Sequence, residues 1–154
     1  PLVGFTHLQH AVPSTAGCWL ASIAASLADG LDMVRAVRQL VNRSPLGGAA
    51  GYGVNLPLDR MGVAQELGFD EVSLSPMADQ AARGVVAVQI LTSAWQLMVA
   101  VRRLAWDLSL FTTDEFGFVK LDRALTTGSS IMPNKRNPDL VELMRASCHG
   151  SSKG

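Results

Sequence analysis

The chain is poor in cysteine, aromatic residues and charge, and each shortage narrows the field. Two cysteines, Cys18 and Cys148, lie far apart in a chain of 154 residues. Isolated thiols form neither a disulfide framework nor a zinc-ligand spacing, so they read as free thiols of a reducing cytosol, and a cytoplasmic location is expected. No metal and no cofactor is expected either. Charged residues are 17% of the chain and balance to a formal net charge of zero. Without clustered Lys and Arg there is no electrostatic footprint for nucleic acid, and none is expected as a partner. Repeats and low-complexity tracts are absent, and the opening PLVGFTHLQH lacks the basic start and apolar run of a targeting signal. The first residue is Pro1 rather than Met, so the expectation is a chain that begins inside a longer product or has been processed.

What the chain has in quantity is apolar helix former. Hydrophobic residues are 48% of it, enough for a domain with a real core. No charge occurs from Ala11 to Ala28 or from Gly84 to Val101, and each stretch approaches the length that crosses a bilayer. Pro13, Ser14, Thr15, Ser22 and Ser26 interrupt the first, and Gln89, Thr92, Ser93 and Gln96 the second. Neither carries aromatic belts at both ends, and no membrane is expected. A soluble helix that is apolar nearly all round is buried on all sides. In a chain this small, that calls for partner subunits to supply the other walls.

The period of the apolar residues gives the elements. Residues 1–13 form an extended or irregular entry, since Pro13 disfavours helix before it. Ser14 or Thr15 caps a long helix to about Asn42, with Trp19, Ile23, Leu27, Leu31, Val34 and Val41 as its stripe. Pro45 and GGAAGYG end it. A short helix is predicted from Pro57 to Leu67, closed by Gly68. After the turn-like FDEVSLSP, a second long helix is predicted from Pro76 to Leu110, with Met77, Val85, Val88, Leu91, Trp95, Met98 and Leu104 as core positions. FGFVKL reads as a short hairpin. Asn137 and Pro138 start a last helix. The fold expected is all-α, an elongated bundle of long helices, with residues 1–154 as one domain.

The segment GSSIMPNKRNPD, Gly128–Asp139, concentrates the chemistry. Small residues allow a close-approaching backbone. Lys135 and Asn137 sit just before a helix start, where backbone N–H groups favour an anion. Two hydroxyls, a cation and a helix start make a candidate carboxylate site. An ordinary loop with an N-cap accounts for the same residues, and on pattern alone it is the stronger reading.

The string G-S-S-x-M-P-x-K-x-N-P resembles the signature of the fumarase/aspartase superfamily. GFTHLQHAVP, Gly4–Pro13, resembles that superfamily's G-x-T-H-x-Q-x-A-x-P. Phe5 before Thr6, the block SPLGGAAGYGVNLPLDR from Ser44 to Arg60, and EFGFVKL are similar to the argininosuccinate lyase family, in that family's order. The resemblance implies the superfamily's central helical domain, with amino-terminal and carboxy-terminal parts of the enzyme lying outside this chain. It implies elimination from a succinyl group to give fumarate, in arginine biosynthesis. It also implies a homotetramer whose sites combine segments of three subunits, with argininosuccinate as the small-molecule partner.

By the same resemblance Ser129 is the catalytic base, acting as an alkoxide that Lys135 and loop amides stabilise. Lys135 and Asn137 hold the carboxylate where charge develops. His7, set against Glu142, serves the acid side or positions the substrate. Thr6 and Gln9 bind substrate, as does Ser130 beside the base. Arg83 matches an arginine of the family's S-x-R-D region, although Gly84 stands where the family has an acid. His10 and His149 read as structural. Alternatives are another superfamily lyase, such as adenylosuccinate lyase or the carboxymuconate cycloisomerase, or a non-catalytic structural or assembly module. The resemblance predicts that these 154 residues alone have little or no lyase activity. A steady-state fumarate assay on the purified chain checks this, and a rate matching that of the intact enzyme would contradict it.

Overall fold

The computed structural model describes residues 1–150. The readings of Cys148 and His149 as free thiol and structural histidine, and of Ser151–Gly154 as a frayed end, lie outside the described side chains and residues. The described chain divides into two compact units. One holds residues 1–30 together with those from Trp95 onward, and the other holds Leu31–Ala94.

The first unit opens with a hairpin rather than an irregular entry. Strand β1 (Leu2–Thr6) pairs antiparallel with β2 (Gln9–Ser14). The extended conformation is as expected, whereas the pairing carries no Asn-Gly or Asp-Gly turn to announce it. Helix α1 (Ala16–Val41) follows. Thr15 caps it, its Oγ1 accepting from the Cys18 N–H at 3.0 Å.

The first part of α1 runs antiparallel to the later part of helix α4 (Val85–Phe111). Three contacts fix that direction. The Trp19 indole Nε1 donates to Asp107 at 2.7 Å, Arg103 donates to the Ser22 hydroxyl, and Gly30 lies against Leu97. A Cβ on Gly30 would come within 2.6 Å of the Leu97 side chain, so the helices approach closely where one of them has no side chain.

On α4 small residues, rather than those of the predicted stripe, are the buried ones, while on α1 the stripe residue Ile23 is buried as expected. Ser93, Ala100 and Ala105 are buried on α4, and Ile23 on α1. Met77, Val85, Val88, Leu91 and Trp95, expected as core, are exposed, Leu91 by 68%. Of the described helices, α4 alone is long and apolar enough to cross a membrane by length and composition. Gln89, Thr92, Ser93 and Gln96 run through it, and Ser93 folds its hydroxyl back onto the Ile90 carbonyl at 2.8 Å.

In the second unit, β3 (Arg43–Ser44) pairs parallel with β4 (Glu71–Val72). Helix α2 spans Arg60–Glu66, starting three residues later than the Pro57 predicted for it, because the Asp59 carboxylate caps it through the Gly62 N–H. Gly68, at φ 80°, closes it as expected. The second long helix is in fact two. Helix α3 (Pro76–Ala81), capped by Ser75, ends before Arg83, and Gly84 at φ 84° separates it from α4. A left-handed residue cannot continue a right-handed helix, and glycine takes that conformation without steric cost.

FGFVKL is not a hairpin. It is an irregular turn whose Val119 N–H bonds the Phe111 carbonyl, and a 3-10 turn follows at Arg123–Leu125. Its phenylalanines have another use. Phe116 and Phe118 pack with Phe111 and with Phe5 of the hairpin in an edge-on cluster, with ring centroids 5.2 Å apart for Phe5 and Phe116. Helix α5 (Asp139–Gly150) begins just after Pro138, and Val141 is buried.

Candidate active site

The glycine-serine loop is tied at both ends. Strand β5 (Thr127–Gly128) pairs antiparallel with β6 (Arg136–Asn137), matching Thr127 to Asn137 and Gly128 to Arg136. The Thr127 hydroxyl also donates to the Asp139 carboxylate in the first turn of α5. The Lys135 N–H closes a turn onto the Met132 carbonyl at 3.1 Å. Residues 129–135 are thus held over a short ladder and against a helix start.

Inside that loop the Ser129 Oγ accepts from two backbone amides, Ile131 N–H at 3.3 Å and Met132 N–H at 3.2 Å. These are at or just beyond the long end of the usual range, and would strengthen if charge developed on the oxygen. The bonding also orders the loop, as serine turns do. What distinguishes this hydroxyl chemically is that both donors meet oxygen at once, the arrangement that stabilises an oxyanion. Ser129 is half-buried, Ser130 and Lys135 are exposed, and Asn137 is half-buried. Lys135 lines an open cleft of about 410 Å³ with Lys120, Arg136 and Asp114.

Thr6, His7 and Gln9 stand at the tip of the hairpin, all three exposed. Thr6 pairs directly with Gln9 across the turn. His7 lines a second cleft, also about 410 Å³, floored by Trp19, Trp106, Phe111 and Phe116. The His10 ring lies tilted against the Phe5 ring, with centroids 4.9 Å apart. Glu142 is in the first turn of α5 and exposed.

Among the described residues, no ion pair or hydrogen bond joins His7 to Glu142, or either of them to Ser129 or Lys135. Arg83 belongs to the other unit, where it lines a cleft of about 220 Å³ beside Gly48 and Pro76. Within one chain, therefore, the geometry gathers Ser129, Ser130, Lys135 and Asn137 into one loop and Thr6, His7 and Gln9 into one turn. Among the described residues no hydrogen bond or ion pair links the two groups. Thr127 was not singled out by the sequence. Its signal is a hydroxyl twelve residues before an acidic helix start, which is too weak to read without the fold.

A tethered glycine-serine loop and a hairpin turn of hydroxyl, imidazole and amide thus stand on a scaffold of long helices. The sequence family described as Lyase matches residues 1–150, and the chain belongs to that family. Among its relatives, the argininosuccinate lyase of Sorangium cellulosum (strain So ce56) is 64% identical over 148 residues, covering 96% of this chain and 34% of the relative. The argininosuccinate lyase of Stenotrophomonas maltophilia (strain R551-3) is 52% identical over 146 residues, covering 95% of this chain and 34% of its own length. The chain thus spans about a third of the length of the curated relatives it matches.

The structure of an EDDS lyase in complex with formate superposes with TM-score 0.92 at 32% identity, over 99% of this chain and 30% of that one. A variant of EDDS lyase with bound fumarate gives TM-score 0.92 at 31% identity, over 98% of this chain and 30% of that one. A fumarate lyase:delta crystallin from Brucella melitensis, bound to cobalt, shares the fold with TM-score 0.76 at 24% identity, over 97% and 34%.

Thr127→Val removes the hydroxyl that ties the loop to α5. The expected result is a loss of about 1 kcal/mol of stability and faster limited proteolysis within residues 129–135. Unchanged cleavage of that segment would contradict the tether.

Proposed function

We propose that the full-length protein carrying this chain is a cytoplasmic argininosuccinate lyase, cleaving argininosuccinate to arginine and fumarate. The observation that carries the proposal is the Ser129 oxygen held between two backbone N–H groups in a loop that also presents Lys135 and Asn137. Supporting it are the named relatives and the likeness to an EDDS lyase variant with bound fumarate.

The chemistry follows from the residues. The Ser129 alkoxide takes a proton from the succinyl carbon next to a carboxylate. The electron pair left behind spreads into that carboxylate, giving an aci-carboxylate with two negative oxygens. Lys135 and Asn137 meet that charge with an ammonium and an amide N–H, each donor contributing on the order of 3 kcal/mol in a preorganised site. The pair then expels the guanidinium nitrogen, breaking the carbon–nitrogen bond and forming the fumarate double bond. The proton that the departing guanidine needs comes from the side carrying His7, with Glu142 orienting the imidazole. Thr6, Gln9, Ser130 and Arg83 bind the remaining substrate groups.

Separate subunits of a homotetramer bring the loop and the hairpin together around one substrate. Two observations support that arrangement. Among the described residues no hydrogen bond or ion pair joins the two groups within the chain, and α4 leaves Val88, Leu91, Trp95 and Trp106 exposed, far more apolar surface than a lone soluble helix leaves to water.

Fumarate release, followed by its ultraviolet absorbance, tests the reading on a panel of argininosuccinate and adenylosuccinate. Argininosuccinate should turn over and adenylosuccinate should not, and Lys135→Met should lower kcat by about 100-fold or more. Turnover of adenylosuccinate alone, or full kcat in Lys135→Met, would overturn it.

A further inference from the structure

The hairpin that carries Thr6, His7 and Gln9 is unusual in two places, the residues that fill its turn and the register of its strands. Its turn is two residues long, closed by the Thr6–Gln9 pair, and both residues are left-handed, His7 at φ 53° and Leu8 at φ 60°. Turns of this shape ordinarily use Asn-Gly or Asp-Gly, because a Cβ bearing a bulky side chain crowds the backbone at positive φ. Leucine is a poor residue for the position, and 59% of its surface is exposed, so burial does little to explain its presence. The second irregularity is a bulge. Gly4 pairs with Val12 but Phe5 pairs with His10, leaving Ala11 as the extra residue.

The bulge decides which side chains share a face. Strand side chains alternate, so an unbroken β2 carrying Val12 opposite Gly4 would put His10 on the face of Gly4 and Thr6, and Gln9 on the face of Phe5. The extra residue reverses this. His10 comes to lie on Phe5, with ring centroids 4.9 Å apart, and Phe5 in turn rests on Phe116. Gln9 comes to lie beside Thr6. One aromatic face therefore anchors the hairpin to the unit, and the opposite face carries the paired hydroxyl and amide. Bulges that re-aim a side chain beside a site are a recurring device, and strained backbone persists where the surroundings over-determine it.

We infer that Leu8 and Ala11 are positioning residues: the left-handed turn and the bulge together aim Thr6, His7 and Gln9 at the substrate, while Phe5 and His10 clamp the hairpin from behind. The inference rests on the proposed lyase reading for its kinetic readout and stands apart from it in its structural one.

The test uses the full-length enzyme with Leu8→Val, Leu8→Gly, Leu8→Asn and a deletion of Ala11. A β-branched residue tolerates positive φ worst, and glycine and asparagine tolerate it best. Leu8→Val should lose about 10-fold or more in kcat and raise KM, since small misplacements of positioned groups cost that much. Leu8→Gly and Leu8→Asn should restore both parameters to within about two-fold of the parent. Deleting Ala11 should lower kcat/KM by about 100-fold with the far-ultraviolet dichroism retained. Melting temperatures, read without any substrate, should rank Leu8→Gly and Leu8→Asn at or above the parent and Leu8→Val below it.

Leu8→Val with the parent's kcat and melting temperature, or Leu8→Gly as impaired as Leu8→Val, would overturn the inference. So would an Ala11 deletion with the parent's kcat/KM. If the parent releases no fumarate, the lyase reading fails, and the melting order still decides whether the turn is strained as described.

Discussion

The structure depends on keeping a polar oxygen between two backbone donors at the edge of an otherwise apolar scaffold. Ser129 accepts from Ile131 and Met132 only because the chain reverses tightly after Gly128. It reverses there because β5 and β6 hold the loop's ends together and the Thr127–Asp139 bond ties them to α5. A hydroxyl becomes a useful base when its ionised form is met by donors already in place, since donors that must reorganise lose most of their benefit. The rest of the unit secures that condition. Val141 is buried on α5, and α1 approaches α4 closely where Gly30 meets Leu97.

The helices themselves pose a second constraint. The buried residues of α4 are the small Ser93, Ala100 and Ala105, and many of its large ones are left outward, Leu91 and Val88 among the most exposed. Burial of such side chains is worth roughly 1.5–3 kcal/mol each, and a helix leaving so many of them uncovered is poorly accounted for as an isolated surface. A homotetramer of the proposed kind resolves this together with the distribution of the candidate residues, because the loop and hairpin groups, uncoupled in one chain, then meet across subunits. On that account the apolar stripes and the divided site have one cause.

Much of this was legible in the sequence, and the failures have physical reasons. The period of α1, its Thr15 cap, the Gly68 stop and the start of α5 after Pro138 follow from local rules that tertiary structure did not override. The break at Gly84 was missed because the apolar period runs on through it, and only the backbone angle reveals the stop. The start of α2 was misread because Pro57 fits a first turn as well as a loop, whereas the Asp59 cap decided it. Ile23 was read as core and is buried, whereas Met77, Val85, Val88, Leu91 and Trp95 were read as core and are exposed, since periodicity gives a face but not what lies against it. The motif residues of the loop and hairpin were found by resemblance. Their geometry was not, because the hairpin lacks the usual turn residues and the Ala11 bulge leaves no compositional trace.

The central claim is that the Ser129 oxygen removes the carbon-bound proton of the succinyl group. Running the reaction backwards in heavy water tests it most directly, by the rate at which arginine and fumarate yield succinyl carbon deuterated next to the carboxylate, measured by NMR. The account predicts steady incorporation by the parent enzyme and loss of about 1000-fold or more in a folded Ser129→Ala variant. Deuterium entering at the parent's rate without that hydroxyl would contradict it.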